Sequence, residues 1–327
     1  MKYGVLQFFS WPSRRGELSD VYRRALDRVN IMDQNGFDAV WLAEHHFSTY
    51  SVCPSVHIMG MHIADRTTNI RIGTAVSLAA FYHPLRLAEE VALLDQLSGG
   101  RVNWGAGRGF DKIEMEVFDV NRETSYPKFR ENVEIVLKAW QDGPFSYQGK
   151  FNSFENVEVL PKPLQDPIPF WMAASSEDAV RWAGKHGHAI LMDPHSSHQE
   201  IKRKYEVFQQ ELQNNNHSLN GQDTPIARLL AIADTDEAAE QIAYNGSQWM
   251  FGSYFNQSSG TTHEKAKTPK ERLDEYVNGC VIYGCPERVA DQLIELEETL
   301  PLNYLMAAPL SNRSFIQFVD EVMPRLG

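Results

Sequence analysis

The chain has 327 residues, long enough for one large core or two smaller ones, and 43% of them are hydrophobic, an ordinary globular share. A formal net charge of -12 argues against nucleic acid and anionic membrane as partners, because both are gripped by clustered Lys and Arg. Cys53, Cys280 and Cys285 are too few for a disulfide framework, no apolar run approaches the ~18 residues of a membrane span, and Lys2 to Phe9 begins directly as a strand, so a cytoplasmic protein is expected.

Strand-like and helix-like patterns alternate along the chain. Residues 3–9 read as a strand, and 19–35 as a helix opened by Ser19-Asp20 and stopped by Asn35-Gly36. A second strand over 37–43 precedes a helix over 54–66, and a third, Ile70 to Leu78, precedes a helix from Pro84 to Leu97 that stops at Ser98-Gly99-Gly100. Val102 to Gly107 gives a fourth strand, followed by a helix over roughly 123–141. Further strands fall at Pro169–Ala174, His188–Met192, Arg228–Ala233 and Asn303–Ala307, with helices at 176–185, 198–213, 286–298 and 311–325. Eight strands with intervening helices imply parallel neighbours, and the count favours a single (β/α)8 TIM barrel spanning 1–327. Two insertions break the rhythm. Residues 143–165 carry the turn signals of a short hairpin, and 245–270 are polar and aperiodic, as in a disordered segment or a functional lid.

The second strand ends in Trp41-Leu42-Ala43-Glu44-His45-His46-Phe47, placing three titratable side chains where an α/β sheet does its chemistry. Adjacent histidines there can take up a proton near neutral pH, or one can simply cap the strand while the other faces solvent. Gly105-Ala106-Gly107-Arg108-Gly109 closes the fourth strand, but its third glycine is one position early for a dinucleotide fingerprint. Backbone clearance for a flat ring or a phosphate is the better reading, with Arg108 aimed at a phosphate or else paired with Glu114 or Asp111. Ser175-Ser176 precedes a helix, where Ser176 can be a plain cap, an anion ligand, or both. Eleven histidines show no His-Glu-x-x-His pattern or cysteine ligand set, so no metal is expected.

These residues carry a resemblance. Glu44-His45-His46-Phe47, Gly73 to Val76 with His83-Pro84-Leu85-Arg86, Leu94 to Arg101, Arg108-Gly109 through Val117-Phe118, Gly284-Cys285-Pro286-Glu287 and Val322-Met323-Pro324 are similar, in order over essentially the whole chain, to the bacterial luciferase-like flavin monooxygenases. The resemblance implies a TIM barrel and a two-component monooxygenase. Such an enzyme takes reduced FMN (FMNH2) from a separate NAD(P)H-dependent flavin reductase and, with dioxygen, forms a flavin hydroperoxide that oxygenates a small-molecule apolar substrate such as an aldehyde, ketone or aromatic ring. It implies His45 as the catalytic histidine beside His46 and Glu44, Glu114 standing for a family aspartate, and Arg108 with Ser175 and Ser176 on the FMN phosphate. It further implies Gly107 and a cis Ala75–Val76 bond against the flavin ring, and residues 245–270 as the shielding loop. Gly107 stands for a cysteine of the light-emitting members, Phe110 for a tyrosine and Ala179 for a threonine, so light emission is not implied. The set matches the catalytic subunit type, which implies a homodimer. The alternative is a deazaflavin-dependent hydride-transfer oxidoreductase of the same superfamily.

Overall fold

The parallel strands of this chain are short and buried along nearly their whole length, as parallel strands covered by helices must be. In the computed structural model, which describes residues 1–219, 221–252, 268–300 and 302–327, the order is β1 (Lys2–Gln7), α1 (Leu18–Gln34), β2 (Ala39–Leu42), α2 (Val56–Ala64), β3 (Arg71–Thr74), β4 (Ser77–Leu78), α3 (Pro84–Ser98), β5 (Val102–Gly107), α4 (Lys112–Val117) and α5 (Ser125–Ala139). It continues with β6 (Phe145–Gln148), β7 (Ser153–Val157), β8 (Phe170–Ala173), α6 (Glu177–Lys185), β9 (Ala189–Leu191), α7 (His198–Asn214), β10 (Ile226–Ile232) and α8 (Asp236–Met250). Last come α9 (Pro269–Cys280), β11 (Val281–Gly284), α10 (Pro286–Thr299), β12 (Tyr304–Pro309), α11 (Asn312–Gln317) and α12 (Met323–Leu326). These elements fall into two units, residues 8–33 with 40–173, and residues 1–7 with 34–39 and 174–327.

In the unit 8–33 with 40–173, β5 is the organising strand. It pairs in parallel with β3 (Ile72↔Val102), β4 (Leu78↔Gly107) and β8 (Trp104↔Phe170). Trp41 of β2, fully buried, meets Trp171 of β8 edge to face at 5.3 Å. The motif Leu94–Arg101 proves to be a structural staple. Asp95, fully buried at the end of α3, accepts from the Leu164 and Gln165 amides at 2.8 and 2.9 Å and from Gln165 Nε2 at 2.7 Å. Arg101 returns the clamp by donating to the Ala64, Thr67 and Ile70 carbonyls. A buried carboxylate with several donors is costly to leave unpaired, so Asp95 fixes the segment leading into β8, while Arg101 fixes the connection between α2 and β3. Insertion 143–165 forms the antiparallel hairpin β6–β7. The short helix α4, capped by Asp111, has no counterpart in the sequence reading.

In the unit 1–7, 34–39 and 174–327, the parallel order is β11–β10–β12–β1, and β9 continues into a bridge from Met192 to Ile226. Helices start where the sequence offers a cap: Ser176, Ser197 and Thr235 each accept the amide three residues on. Thr268 and Glu271 complete a capping box on α9. Arg228, fully buried on β10, donates to the Asp193 and Ser196 carbonyls and ties down the loop after β9. Of the expected insertion 245–270, residues 253–267 lie outside the described ones, while 245–250 complete α8 and 269–270 open α9. The expected helix over 311–325 is interrupted by a π-helical turn at Phe318–Val322.

Candidate active site

The carboxyl end of β2 carries Glu44, His45 and His46, and two buried carboxylates fix both imidazoles. Glu44 is 2% exposed; its Oε1 accepts from the Tyr82 hydroxyl at 2.8 Å and stands 3.1 Å from His46 Nε2, and its Oε2 accepts the Leu78 amide at 3.2 Å. Glu114, 1% exposed, uses Oε1 to accept the His46 amide at 2.8 Å and to meet His45 Nδ1 at 3.2 Å. Its place is set by Asp111, which accepts the Ile113 and Glu114 amides and so caps α4. A carboxylate can only accept, so Nδ1 of His45 carries the proton and Nε2 is the basic nitrogen. Rings close the surroundings: Tyr50 and Phe110 meet His45 edge-on at 5.0 and 6.3 Å, and Phe118 meets His46 at 4.8 Å. Burial raises the Tyr50 hydroxyl, while burial and then the Glu44 charge raise that of Tyr82, so both stay protonated at neutral pH. Burial also pushes Cys53 to about 12, which removes it as a thiolate nucleophile.

In the same unit lies the second half of the expected set. The Ala75–Val76 bond is cis, and the Ala75 amide donates to the Leu42 carbonyl at 2.8 Å, tying it to the strand that leads into Glu44. Gly107 has room for no side chain: a Cβ there would stand 2.3 Å from Val76 Cγ2, and one on Gly109, where φ is +80°, would stand 2.4 Å from Phe81. The sequence reading gave these glycines to a ligand approaching bare main chain. The structure fills the space with Val76 and Phe81 instead, so the wall beside β5 is an apolar side chain. Arg108 follows directly. Its guanidinium lies 4.1 Å over the Tyr126 ring and Nη1 donates to Ser125 Oγ at 3.0 Å. The ion pair with Glu114 or Asp111 does not form, because Glu114 serves the histidines and Asp111 the α4 cap. Among the described residues no carboxylate forms a salt bridge with Arg108, and burial holds its pKa below the ordinary value without discharging it.

Ser175 and Ser176 stand in the other unit, at the start of α6, where Ser176 accepts the Ala179 amide at 3.2 Å. Ser125, Tyr126 and Tyr50 were missed by the sequence reading, because no local pattern marks them, while Tyr82 was expected only as an aromatic near the pocket. Among the described residues no group of three or more His, Cys, Asp or Glu is placed to hold a metal ion, and no helix is long and apolar enough to cross a membrane. The donor set fits a phosphorylated flavin: a guanidinium with no carboxylate partner among the described residues, an apolar wall at Val76, and a histidine whose tautomer is fixed.

Comparison with known proteins agrees. The sequence pattern of the luciferase-like monooxygenases matches residues 1–302. The oxygenase component of a flavin-dependent trigonelline monooxygenase from Acinetobacter baylyi is 26% identical over 259 residues, 78% of this chain and 71% of that protein. An uncharacterized Sinorhizobium fredii protein is 33% identical over 175 residues, 53% of this chain, and the match spans half of that relative's length. Among solved structures, monooxygenase RslO1 from Streptomyces bottropensis superposes with a TM-score of 0.87 over the whole of both chains at 22% identity. A secondary alcohol dehydrogenase dependent on the deazaflavin F420 reaches 0.77 at 17% identity, over 100% of this chain and 99% of that one. At such identities the likeness is one of fold, and it bears out the α/β architecture, a (β/α)8 barrel with insertions, expected from strand–helix alternation.

Proposed function

Since the chain belongs to the luciferase-like monooxygenase family, we propose that it is the oxygenase component of a two-component system, using reduced FMN and dioxygen to oxygenate an apolar small molecule. A separate NAD(P)H-dependent flavin reductase supplies the reduced FMN, as the description of the trigonelline relative as an oxygenase component supports. The enzyme works as a cytoplasmic homodimer of the catalytic-subunit type. When bound, the flavin supplies the electrons that activate dioxygen. The rest is done by this chain's own groups. Arg108 holds the phosphate; Ala75 and Val76 form the wall against the ring, and Gly107 leaves the room that Val76 occupies.

His45 Nε2 moves a proton at the reacting edge while Glu114 holds the opposite nitrogen. His46 and Glu44 set the polarity beside it, and Phe47, Phe81, Phe110 and Phe118 offer an apolar surface to the substrate. One observation carries this reading: Glu114 anchors both histidines in the unit that holds Arg108, which no carboxylate among the described residues pairs. His45→Ala tests it. The variant should bind reduced FMN as the parent does and lose about 100-fold in product formation; unchanged turnover refutes the role. The deazaflavin reading keeps the same fold but asks for a basic groove for an oligoglutamate tail, which a chain of net charge -12 does not favour.

A further inference from the structure

Ser77 directly follows the Ala75–Val76 peptide and, as the first residue of β4, pairs with Ala106 of β5, one residue before Gly107. It is fully buried, and its hydroxyl stands 2.9 Å from Nε2 of His57 on α2. His57 is itself only 6% exposed, and its Nδ1 lies 3.2 Å from Glu90 Oε2 on α3. Glu90 is steadied by Arg86, which donates to its other oxygen at 2.8 Å. A neutral imidazole has one N–H. The Glu90 carboxylate can only accept, so it takes the Nδ1 proton and leaves Nε2 to accept from the Ser77 hydroxyl.

We propose that His57 is a positioning residue for the flavin site, its tautomer set by Glu90 and its Nε2 anchoring Ser77, so that the Val76 wall stays where the flavin ring is expected. The inference rests on the flavin reading of the site. Serine, histidine and glutamate in a row resemble a nucleophilic triad, yet Ser77 is sealed from any substrate, which leaves orientation as the role. An apolar residue could fill the space under α2. Burying an imidazole between a carboxylate and a hydroxyl instead makes sense when a particular geometry must be held. Strand β4 is then gripped from two directions: Glu44 takes the Leu78 amide and His57 takes the Ser77 hydroxyl. Tyr82 lies between the two grips, donating to Glu44 while its ring meets that of His57 at 5.7 Å.

The test has two readouts. In the ligand-free protein, 15N spectra of the imidazoles should show His57 protonated at Nδ1; an Nε2–H tautomer overturns the proposal. Titration with reduced FMN without oxygen should then show Ser77→Ala and His57→Leu each weakening binding about tenfold, with the double variant no worse than either single one. Glu90→Gln, whose amide oxygen still accepts from Nδ1, should stay within about twofold of the parent, while Glu90→Leu should match His57→Leu. Lowered urea midpoints with unchanged FMN affinity would make the triad merely structural and overturn the proposal. Failure of the parent itself to bind reduced FMN overturns the flavin reading and this one together, whereas normal parent binding with indifferent variants overturns this one alone. If His57→Leu does not fold, Ser77→Ala carries the same expectation.

Discussion

Replacing Gly107 by alanine puts the packing of the flavin wall to a quantitative test. The new Cβ would stand 2.3 Å from Val76 Cγ2, 3.1 Å from Val76 Cβ and 3.5 Å from Val76 Cγ1. Carbon atoms prefer about 3.5–4.0 Å, so the first contact overlaps by more than an ångström. Gly107 is not among the positive-φ positions, so alanine meets no backbone penalty there and the cost is the contact alone. Rotating Val76 about χ1 moves its γ-carbons but leaves its Cβ where it is, so the 3.1 Å contact persists in every rotamer. Overpacking of this kind costs about 1–3 kcal/mol. The assay is urea unfolding of Gly107→Ala, Val76→Ala and the double variant, at constant slope. Removing the γ-carbons relieves most of the clash, so the double variant should be more stable than the summed singles by about 1–2 kcal/mol. A neutral Gly107→Ala, or strict additivity, would refute the packing described for the end of β5. Reduced FMN affinity should fall in Gly107→Ala and partly recover in the double variant if Val76 forms the ring's wall.

Two further outcomes follow from named groups. Arg108→Ala should weaken reduced FMN binding by about 2–3 kcal/mol, the loss of a charged phosphate contact, and unchanged affinity in equilibrium dialysis would remove Arg108 from the cofactor site. His198, whose pKa is lowered to about 4, chiefly by burial and then by the Arg228 charge, is held neutral in the fold. The unfolded chain takes up that proton near 6.5, so between pH 6.5 and 4 the unfolded state binds more protons and stability falls with acidification. The contribution is intact above pH 6.5; its loss, about 2 kcal/mol, should be absent from His198→Gln in urea midpoints at pH 7 and pH 4.5, and parallel pH profiles for the two proteins would contradict the assignment.

The sequence makes the strand–helix rhythm legible because helix caps are local signals: Pro84 opens α3, Gly99 closes it at φ +72°, and Ser176 caps α6. Helices α8 and α9 and strand β11 were not read. Asn245 and Gly246 interrupt the pattern of α8, and β11 has only four residues between two helices. The site divides in the same way. Glu44, His45, His46 and Arg108 sit at strand ends and can be picked out by position. The bonds that give them chemistry span 68 residues from His46 to Glu114, 38 from Glu44 to Tyr82 and 20 from His57 to Ser77, distances at which no periodic pattern operates. Likewise the most specific motif, Leu94–Arg101, turns out to clamp loops, because an aspartate and an arginine that each satisfy several backbone groups constrain sequence as tightly as catalysis does.

The most direct test is an anaerobic titration of the parent protein with reduced FMN and, separately, with reduced F420, followed by mixing with oxygenated buffer. Reduced FMN should bind stoichiometrically, less tightly to Arg108→Ala, and the bound flavin should reoxidise more slowly than free flavin. Tight binding of the deazaflavin together with indifference to reduced FMN would contradict the proposed function.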